Sequence, residues 1–322
     1  MGDLLLGLDI GGTKTAFVLV DTRGQILARA RRPTRLCGDP RADVDDMAAG
    51  ALALLAEAGA GQGDLAGAGA AVPGPLDRAA GLLLQPPNMP GWDVVPVAEW
   101  LGQAFGCPVA LENDANAAAL AEHRFGAGRG YDDLVYLTMS TGVGAGVVAG
   151  GRVQRGAGGG AGEIGHVPVE WPGEPCRCGM TGCLEAYVGG ACLERRLVRR
   201  TPPASKLAEL AGGREAARPE HLVEAARAGC EFALAEMDRF NDYLARGIVQ
   251  IAFTLDPGVI VLGTICVAAG EDLCFAPLRR KARARLWPDF AERLTIVPAA
   301  LGDELPYRAA ACAALGGLTR DA

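Results

Sequence analysis

The chain has few basic residues, few histidines and no long apolar run, and each shortage excludes a class of protein. Its 322 residues include 31 Lys and Arg against 38 Asp and Glu, and the net charge of −7 argues against a nucleic-acid-binding protein. No uninterrupted apolar run reaches the ~18 residues of a membrane span, and the N-terminus lacks the basic start of a signal peptide. We therefore expect a cytoplasmic globular protein whose partners include neither nucleic acid nor membrane.

Histidine is scarce, with three in the chain, whereas cysteine is common, with ten. One histidine and three closely spaced cysteines form a group near the middle of the chain: His166, Cys176, Cys178 and Cys183. Structural zinc takes four nitrogen or sulfur ligands in a tetrahedron, so the group predicts a zinc site; the alternative is a set of buried packing cysteines. Glu163 and Glu185 flank this group, although zinc does not need them.

Strand and helix patterns alternate along the chain, which is typical of α/β proteins. Two segments repeat one design: apolar strands at 4–8 and 134–137 each lead into a turn rich in glycine and hydroxyl groups, at 9–14 and 138–146. Such turns let backbone N–H groups approach an anion, so each copy is a candidate phosphate site, although a tight hairpin also uses glycine. The duplication predicts two related domains that face a nucleotide.

Neither glycine turn matches the two commonest nucleotide motifs, because a strand follows each turn where a P-loop or a dinucleotide fingerprint requires a helix. Asp9 ends the first strand, where its carboxylate could hold Mg²⁺ or simply cap the turn. Lys14 could reach a phosphate or be a solvated strand residue.

A second polar cluster, residues 112–116, lies at the end of an apolar strand and before a helix expected at 115–125. Asn113 or Asp114 would cap that helix, but three polar side chains in a row exceed what capping needs. Ligands of open α/β sheets bind at the carboxyl ends of strands, so Asp114 is a candidate base. Gly74 and Asn88 lie in stiff proline loops that could line a pocket or be surface turns. Further on, a long helix is expected at 220–254 and a final helix at 309–318.

Taken in order, these motifs resemble those of the ROK family, a group of bacterial sugar kinases, repressors and uncharacterised open reading frames. The resemblance covers essentially the whole chain and implies the actin-like (ribonuclease-H-like) ATPase fold, with two α/β domains around a central cleft. The small domain would comprise residues 1–112 with a C-terminal helix at about 303–322. The large domain, 113–302, would carry the zinc site.

The resemblance also implies an activity, an ATP-dependent hexose kinase in which Asp114 takes the proton from the 6-hydroxyl of a sugar. It implies a sugar-binding set of Gly74, Asn88, Asn113, Asp114, Glu163, His166 and Glu185. It implies a nucleotide-binding set of Asp9, Gly11, Gly12, Thr13, Lys14, Thr141, Gly142, Gly144 and Gly263. The cofactors would be Mg²⁺ with ATP, and a structural Zn²⁺ held by the Cys3His group.

Glucose is the first choice of substrate, with N-acetylmannosamine or N-acetylglucosamine as alternatives. A catalytically silent sugar sensor is the alternative from another class; a transcriptional repressor is disfavoured, because only eight residues precede Asp9 and a helix-turn-helix domain needs more. A homo-oligomer, dimer or tetramer, is expected. The chain departs from the family pattern at Ser140, Ala145 and Thr264, where many relatives have glycine, and the branched Thr264 is expected to narrow the nucleotide site.

Overall fold

The structure is a computed structural model, and it describes residues 2–317. Its strands are β1 (Leu4–Ile10), β2 (Lys14–Asp21), β3 (Ile26–Pro33), β4 (Leu65–Val72), β5 (Leu76–Asp77), β6 (Leu82–Leu84), β7 (Val94–Val95), β8 (Val109–Asn113), β9 (Leu134–Met139), β10 (Val143–Ala149), β11 (Arg152–Val153), β12 (Val259–Leu262) and β13 (Thr295–Pro298). Its helices are α1 (Pro40–Glu57), α2 (Val97–Phe105), α3 (Asp114–Phe125), α4 (Leu184–Val188), α5 (Gly190–Arg200), α6 (Lys206–Ala211), α7 (Pro219–Arg227), α8 (Glu231–Leu255), α9 (Ile265–Gly270), α10 (Ala276–Arg283), α11 (Pro288–Arg293) and α12 (Leu305–Gly316).

The chain folds as two compact units. Over the described residues, unit 1 comprises 2–126, 155–161 and 301–317, and unit 2 comprises 127–154 and 162–300. Unit 1 therefore extends past the boundary expected at residue 112, because α3 packs against α12. The end of the expected final helix, Leu318, lies outside the described residues.

Unit 1 is built on a five-stranded sheet in the order β3-β2-β1-β4-β8. The first three strands are antiparallel, whereas β4 runs parallel to β1 and β8 runs parallel to β4. Adjacent residues of β1 enter different cores: Leu6 packs with α1, and Leu5 packs with α12. A Cβ added to Gly7 would lie 2.5 Å from the carbonyl oxygen of Ala310, so glycine permits α12 to approach the sheet closely. Burial on both faces explains why β1 is apolar at consecutive positions.

Unit 2 repeats this topology, with a sheet in the order β11-β10-β9-β12-β13. Three antiparallel strands are again followed by two strands that continue parallel to the first of them, β9. The long helix α8 belongs to the apolar core of this unit, which includes Phe240, Leu244 and Ile248. The two glycine-turn hairpins predicted from the sequence are thus confirmed as β1–β2 and β9–β10.

Two element predictions are wrong in extent. The second turn is confined to residues 140–142, because Gly144 pairs with Thr138 inside the β9–β10 ladder. The helix expected at 220–254 is divided into α7 and α8, because Gly229 takes a left-handed conformation with φ +79°, which ends a helix. Within residues 2–317, no helix has the length and apolar character that crossing a membrane requires.

Candidate functional site

The four predicted zinc ligands converge in unit 2. Their ligand atoms all lie within 4.8 Å of one another, with 3.6 Å between Cys176 Sγ and His166 Nδ1 and 3.7 Å between Cys178 Sγ and Cys183 Sγ. Zinc bonds of about 2.3 Å to sulfur and 2.1 Å to nitrogen place tetrahedral ligands roughly 3.6–3.8 Å apart. The donor set and its spacing therefore fit a structural zinc ion.

Backbone hydrogen bonds within the loop help to bring these ligands together. The N–H of Cys176 donates to the carbonyl of Met180 at 2.8 Å, and the N–H of Gly179 donates back to Cys176 at 3.1 Å. Gly182 has φ +78°, and a Cβ there would lie 1.9 Å from the carbonyl oxygen of Glu170. Glycine at that position therefore permits the chain to fold back and bring Cys183 to the other ligands. Burial raises the pKa of the Cys176 thiol to about 12, so its thiolate form needs a nearby cation.

His166 presents its two ring nitrogens to different groups. Nδ1 faces Cys176, whereas Nε2 lies 3.9 Å from the carboxylate of Glu163. The ring therefore can bind a metal through Nδ1 and leave Nε2 beside an exposed carboxylate, as the predicted double role requires. Glu163 itself lies at the N-terminal side of a short 3₁₀ turn, Ile164–His166.

Glu185, on α4, connects the metal loop with the second glycine turn. Its Oε2 accepts a hydrogen bond from Val143 N at 2.9 Å, and its Oε1 lies 3.8 Å from Cys176 Sγ. A Cβ added to Gly142 would lie 2.4 Å from Glu185 Oε2. A side chain at position 142 would therefore displace the Glu185 carboxylate from its present position.

The second glycine turn is held in place by the start of α5. The N–H groups of Gly190 and Ala191 donate to the carbonyls of Ser140 and Thr141 at 2.8 and 2.9 Å. Thr141 is exposed, as a ligand-binding residue requires. These bonds fix the shape of the turn before any ligand binds.

Gly263 and Thr264 follow β12, beside this turn. Gly263 N donates to Leu137 at 2.8 Å, and a Cβ on Gly263 would lie 2.8 Å from Tyr136 Oη. Thr264 has φ +48° and ψ −114°, a conformation that favours glycine, and its Oγ1 accepts a hydrogen bond from Met139 N at 2.9 Å. The hydroxyl thus supports a backbone conformation that the branched side chain disfavours.

In unit 1, the first glycine turn is likewise held through its carbonyl oxygens. Thr34 donates from Oγ1 to Gly11 at 2.7 Å and from its N–H to Thr13 at 2.9 Å. A Cβ on Gly12 would lie 2.8 Å from the carbonyl oxygen of Asn88, so this glycine brings the Asn88 loop against the turn. The side chains of Thr13 and Lys14 are exposed.

Asn88 is exposed, but the loop that carries it is anchored. Trp92 is only 3% exposed, and its indole Nε1 donates to the buried Asp43 at 3.1 Å. The neighbouring Met89 is also buried. The loop is therefore a fixed feature of unit 1, although the sequence could equally indicate a plain surface turn.

Asp9 is half-buried at the end of β1, where it lies opposite Ala16 of β2 and Ala71 of β4. Burial raises the pKa of Asp9 to about 7, the nearby Asp114 carboxylate raises it further, and Arg31 acts in the opposite direction. Among the described residues, the positive charge of Arg31 does not offset the effects of burial and of Asp114 on this carboxylate. A divalent cation would supply further positive charge, as the sequence predicted for this residue.

Asn113 ends β8 at the same edge of the sheet, and Asp114 follows it. Asn113 Oδ1 accepts from the N–H groups of Ala115 and Asn116 at 3.0 and 3.2 Å, so it caps α3 as one of the two sequence interpretations proposed. Its amide nitrogen faces Gly74, where an added Cβ would lie 3.3 Å away. Asp114 is exposed and opens α3, whose N-terminus favours a negative charge.

Glu112 is the residue that the sequence failed to single out. It is only 5% exposed, and its Oε2 accepts two hydrogen bonds from Arg155, at 2.9 Å from Nε and 2.7 Å from Nη2. The polar run 112–116 drew attention to this position, but nothing in the sequence indicated a partner 43 residues away.

The chain is similar to proteins of one family over nearly its full length. The model for the ROK family matches residues 5–316. A glucokinase from Thermotoga maritima is 39% identical over 303 residues, which is 93% of each chain. An N-acetylmannosamine kinase from Escherichia coli O157:H7 is 38% identical over 258 residues, 80% of this chain and 81% of that one. The crystal structure of a ROK family glucokinase from Streptomyces griseus, in complex with glucose and AMPPNP, matches with a TM-score of 0.78 and 33% identity, over 97% of this chain and 98% of that chain.

Proposed function

The chain belongs to the ROK family and has its actin-like ATPase fold, and from this premise we propose that it is an ATP-dependent kinase that phosphorylates the 6-hydroxyl of glucose. The observation that carries the proposal is the full-length similarity to a glucokinase. The position of Asp114, exposed at the carboxyl end of a parallel strand and at the start of a helix, supports it.

In the proposed reaction, Asp114 accepts the proton of the sugar 6-hydroxyl while that oxygen bonds to the γ-phosphorus of ATP. The bond from the γ-phosphorus to the bridging oxygen breaks, and ADP leaves. Because the transition state of phosphoryl transfer is loose, positioning of the hydroxyl matters more than early proton removal. A carboxylate at a helix N-terminus suits this late acceptance of the proton.

The remaining hydroxyls of the sugar would be bound by Asn113, Glu163, His166 and Glu185, with Gly74 and Asn88 nearby. Amides and carboxylates match the paired donors and acceptors of a sugar, and a wrong substrate leaves some of them unpaired. Asn113 has its amide nitrogen for this role, because its oxygen caps α3.

ATP would bind at the two glycine turns and beside Gly263. The first turn offers Gly11, Gly12, Thr13 and Lys14, and the second offers Thr141, Gly142 and Gly144. Asp9 would hold Mg²⁺, directly or through water, which neutralises charge on the phosphates during transfer. The raised pKa of Asp9 in the protein alone supports this assignment.

His166, Cys176, Cys178 and Cys183 would hold a structural zinc ion. Four protein ligands leave no open position for a substrate, so the ion would shape the loop that carries His166 rather than take part in the chemistry. The spacing of the ligand atoms supports this proposal.

N-acetylmannosamine is the second candidate substrate, and the observation that favours it is the similarity to an N-acetylmannosamine kinase. The two candidates differ at carbon 2 of the sugar. A panel of hexoses and N-acetylhexosamines with Mg-ATP, read by coupled release of ADP, distinguishes them. ADP release with glucose at a higher kcat/KM than with either N-acetylhexosamine supports the proposal. If none of the sugars causes ADP release, the proposal is contradicted and a catalytically silent sugar-binding protein remains.

We also propose that the protein acts in the cytoplasm, where ATP is available and thiols stay reduced.

We propose in addition that the protein forms a homo-oligomer. An exposed apolar face of unit 2 supports this proposal. Phe253, which is 43% exposed, lines an apolar groove of about 350 Å³ together with Val167 and Ile251, and its ring contacts Trp287, which is 66% exposed. In a two-fold dimer the same surface patch of both subunits meets, and an exposed apolar face of this kind would be covered by its copy. Light scattering of Phe253→Asp against the wild type tests this, and a wild-type monomer would contradict it.

A further inference from the structure

Glu112 is a buried acid at the junction of β8 and α3, and both of its oxygens are engaged. Oε1 accepts from Asn113 N at 3.1 Å and from Asn116 Nδ2 at 3.2 Å. These two groups lie on either side of Asp114 in the sequence. Oε2 accepts the two hydrogen bonds from Arg155, and Arg78 Nε lies 3.7 Å away.

Arg155 is the first residue of a short segment that belongs to a different unit from the residues on either side of it. Residues Arg155–Ala161 belong to unit 1, although residue 154 before them and residue 162 after them belong to unit 2. Four of these seven residues are glycine, which gives the segment little conformational preference of its own. Its internal hydrogen bonds include one of 3.0 Å, from Ala161 N to Arg155 O. The side chain of Arg155 ties the first residue of this segment to Glu112 at the end of β8.

The ion pair between Glu112 and Arg155 has the features of a strong one. The carboxylate side chain is 7% exposed and the guanidinium side chain 23%, and both hydrogen bonds to Oε2 are charge-assisted. Removing one partner of such a pair leaves the other charge buried without compensation. The remaining carboxylate or guanidinium then draws in water or moves, and the groups bonded to it move with it.

We propose that Glu112 and Arg155 are positioning residues for the phosphoryl transfer, acting through Asp114. The inference rests on the proposed kinase function. Glu112 fixes the backbone at Asn113 and the side chain at Asn116, so it sets the direction in which Asp114 leaves the sheet. Arg155 neutralises Glu112 and, in doing so, holds the glycine segment against the same strand end.

The test compares Glu112→Gln, Arg155→Met, the double variant and Arg155→Lys with the wild type. Misplacing a reacting group by about 1 Å costs up to roughly 100-fold in rate, so we expect kcat to fall about 10- to 100-fold in each of the first two. The double variant should be no slower than the slower single variant, because both remove one interaction. Arg155→Lys keeps the positive charge but cannot donate two hydrogen bonds as the guanidinium does, so its kcat should lie between those of Arg155→Met and the wild type.

A matched control pair exists in unit 2. Arg196 Nε donates to Glu236 at 2.9 Å, and both side chains are about as buried as Glu112. Arg196→Met should lower the thermal midpoint, as Arg155→Met does, but leave kcat and the KM for glucose within about two-fold of the wild type. If Arg155→Met and Glu112→Gln also change only the thermal midpoint, the pair is structural and the inference is wrong.

A readout without substrate separates this inference from the kinase proposal. Amide hydrogen exchange should become faster in residues 113–116 and 155–161 of Arg155→Met and stay unchanged there in Arg196→Met. If exchange becomes faster but the wild type phosphorylates no sugar, the result supports the ordering role of the Glu112–Arg155 pair and refutes the kinase proposal. Unchanged exchange in Arg155→Met would refute the ordering role of the Glu112–Arg155 pair even if the wild type is an active kinase.

Discussion

Replacing Asp9 by Asn should stabilise the ligand-free protein at alkaline pH while it abolishes activity. The pKa of Asp9 is raised from 3.8 to about 7, chiefly because the carboxylate is buried and then because Asp114 lies nearby. The folded state thus holds a proton that the unfolded state releases near 3.8. This contribution to stability is complete below pH 3.8 and is lost as the pH rises through about 7.

The size of the effect follows from the pKa difference. About three pKa units at roughly 1.4 kcal/mol each give an upper limit of about 4 kcal/mol over the whole range. Between pH 6 and pH 8.5 the loss from Asp9 is about 1.4 kcal/mol, because only about one pKa unit lies between pH 6 and the folded-state pKa. Asp9→Asn removes the titrating group, so its free energy of unfolding should fall less over this interval by that amount.

Urea unfolding at pH 6 and pH 8.5, without Mg²⁺ or nucleotide, measures the difference. Asp21→Asn is the matched control. The Asp21 carboxylate accepts from the N–H groups of Gln25 and Arg23, and the bond from Gln25 contributes most to lowering its pKa. Its contribution is lost only as the pH falls below the usual range of a carboxyl, so Asp21→Asn should keep the wild-type slope. Parallel loss of stability in Asp9→Asn and the wild type would refute the raised pKa.

Asp114→Asn should lower kcat at least about 100-fold, the lower end of the range for a general base, with little change in the dissociation constant for glucose; steady-state rates and calorimetry measure both, and near-normal turnover would remove Asp114 from this role. Cys178→Ser should lose zinc, read by elemental analysis, together with glucose affinity, whereas Glu185→Ala should keep zinc and lose only glucose affinity; zinc loss in both would contradict separate roles. Thr264→Gly should lower the KM for ATP several-fold, because it removes the whole branched side chain from the nucleotide site. Thr264→Ser, which loses the γ-methyl branch but keeps the hydroxyl and its hydrogen bond to Met139 N, should lower the KM by less; an unchanged KM in both would show that the side chain does not narrow the site.

The sequence was sufficient where chemistry is local. The Cys3His spacing predicted a cluster that the structure confirms, because its ligands lie on one loop and need only glycine at positions such as Gly182 to fold together. The glycine turns were likewise predictable, because each hairpin joins strands that are neighbours in the chain. The extent of the second turn was not, since Gly144 fits a strand as well as a turn and only its pairing with Thr138 decides between them.

The sequence was insufficient where a contact joins residues that are far apart in the chain. In the sequence Glu112 is one polar residue among several, and only the structure shows its hydrogen bonds with Arg155. The sequence likewise did not indicate that Asp43 accepts a hydrogen bond from Trp92 and so fixes the loop that carries Asn88. Such pairs leave no periodicity and no fixed spacing, so a single sequence gives no basis on which to predict them.

The duplicated topology explains the fold, and the departures from it carry the chemistry. Both units contain a glycine-turn hairpin at the edge where parallel strands end. In unit 1 the residue two positions before the turn is Asp9, whereas the corresponding position of unit 2 is Thr138, which is uncharged. The negative charge at the second turn comes instead from Glu185, which reaches Val143 N from α4 beside the zinc ligands. The first hairpin thus has a carboxylate on its own strand, and the second has one supplied by α4, which follows the loop of the zinc ligands. The carboxylate that the proposal assigns to Mg²⁺ therefore belongs to unit 1, whereas the carboxylate beside the second turn is one that the proposal assigns to the sugar.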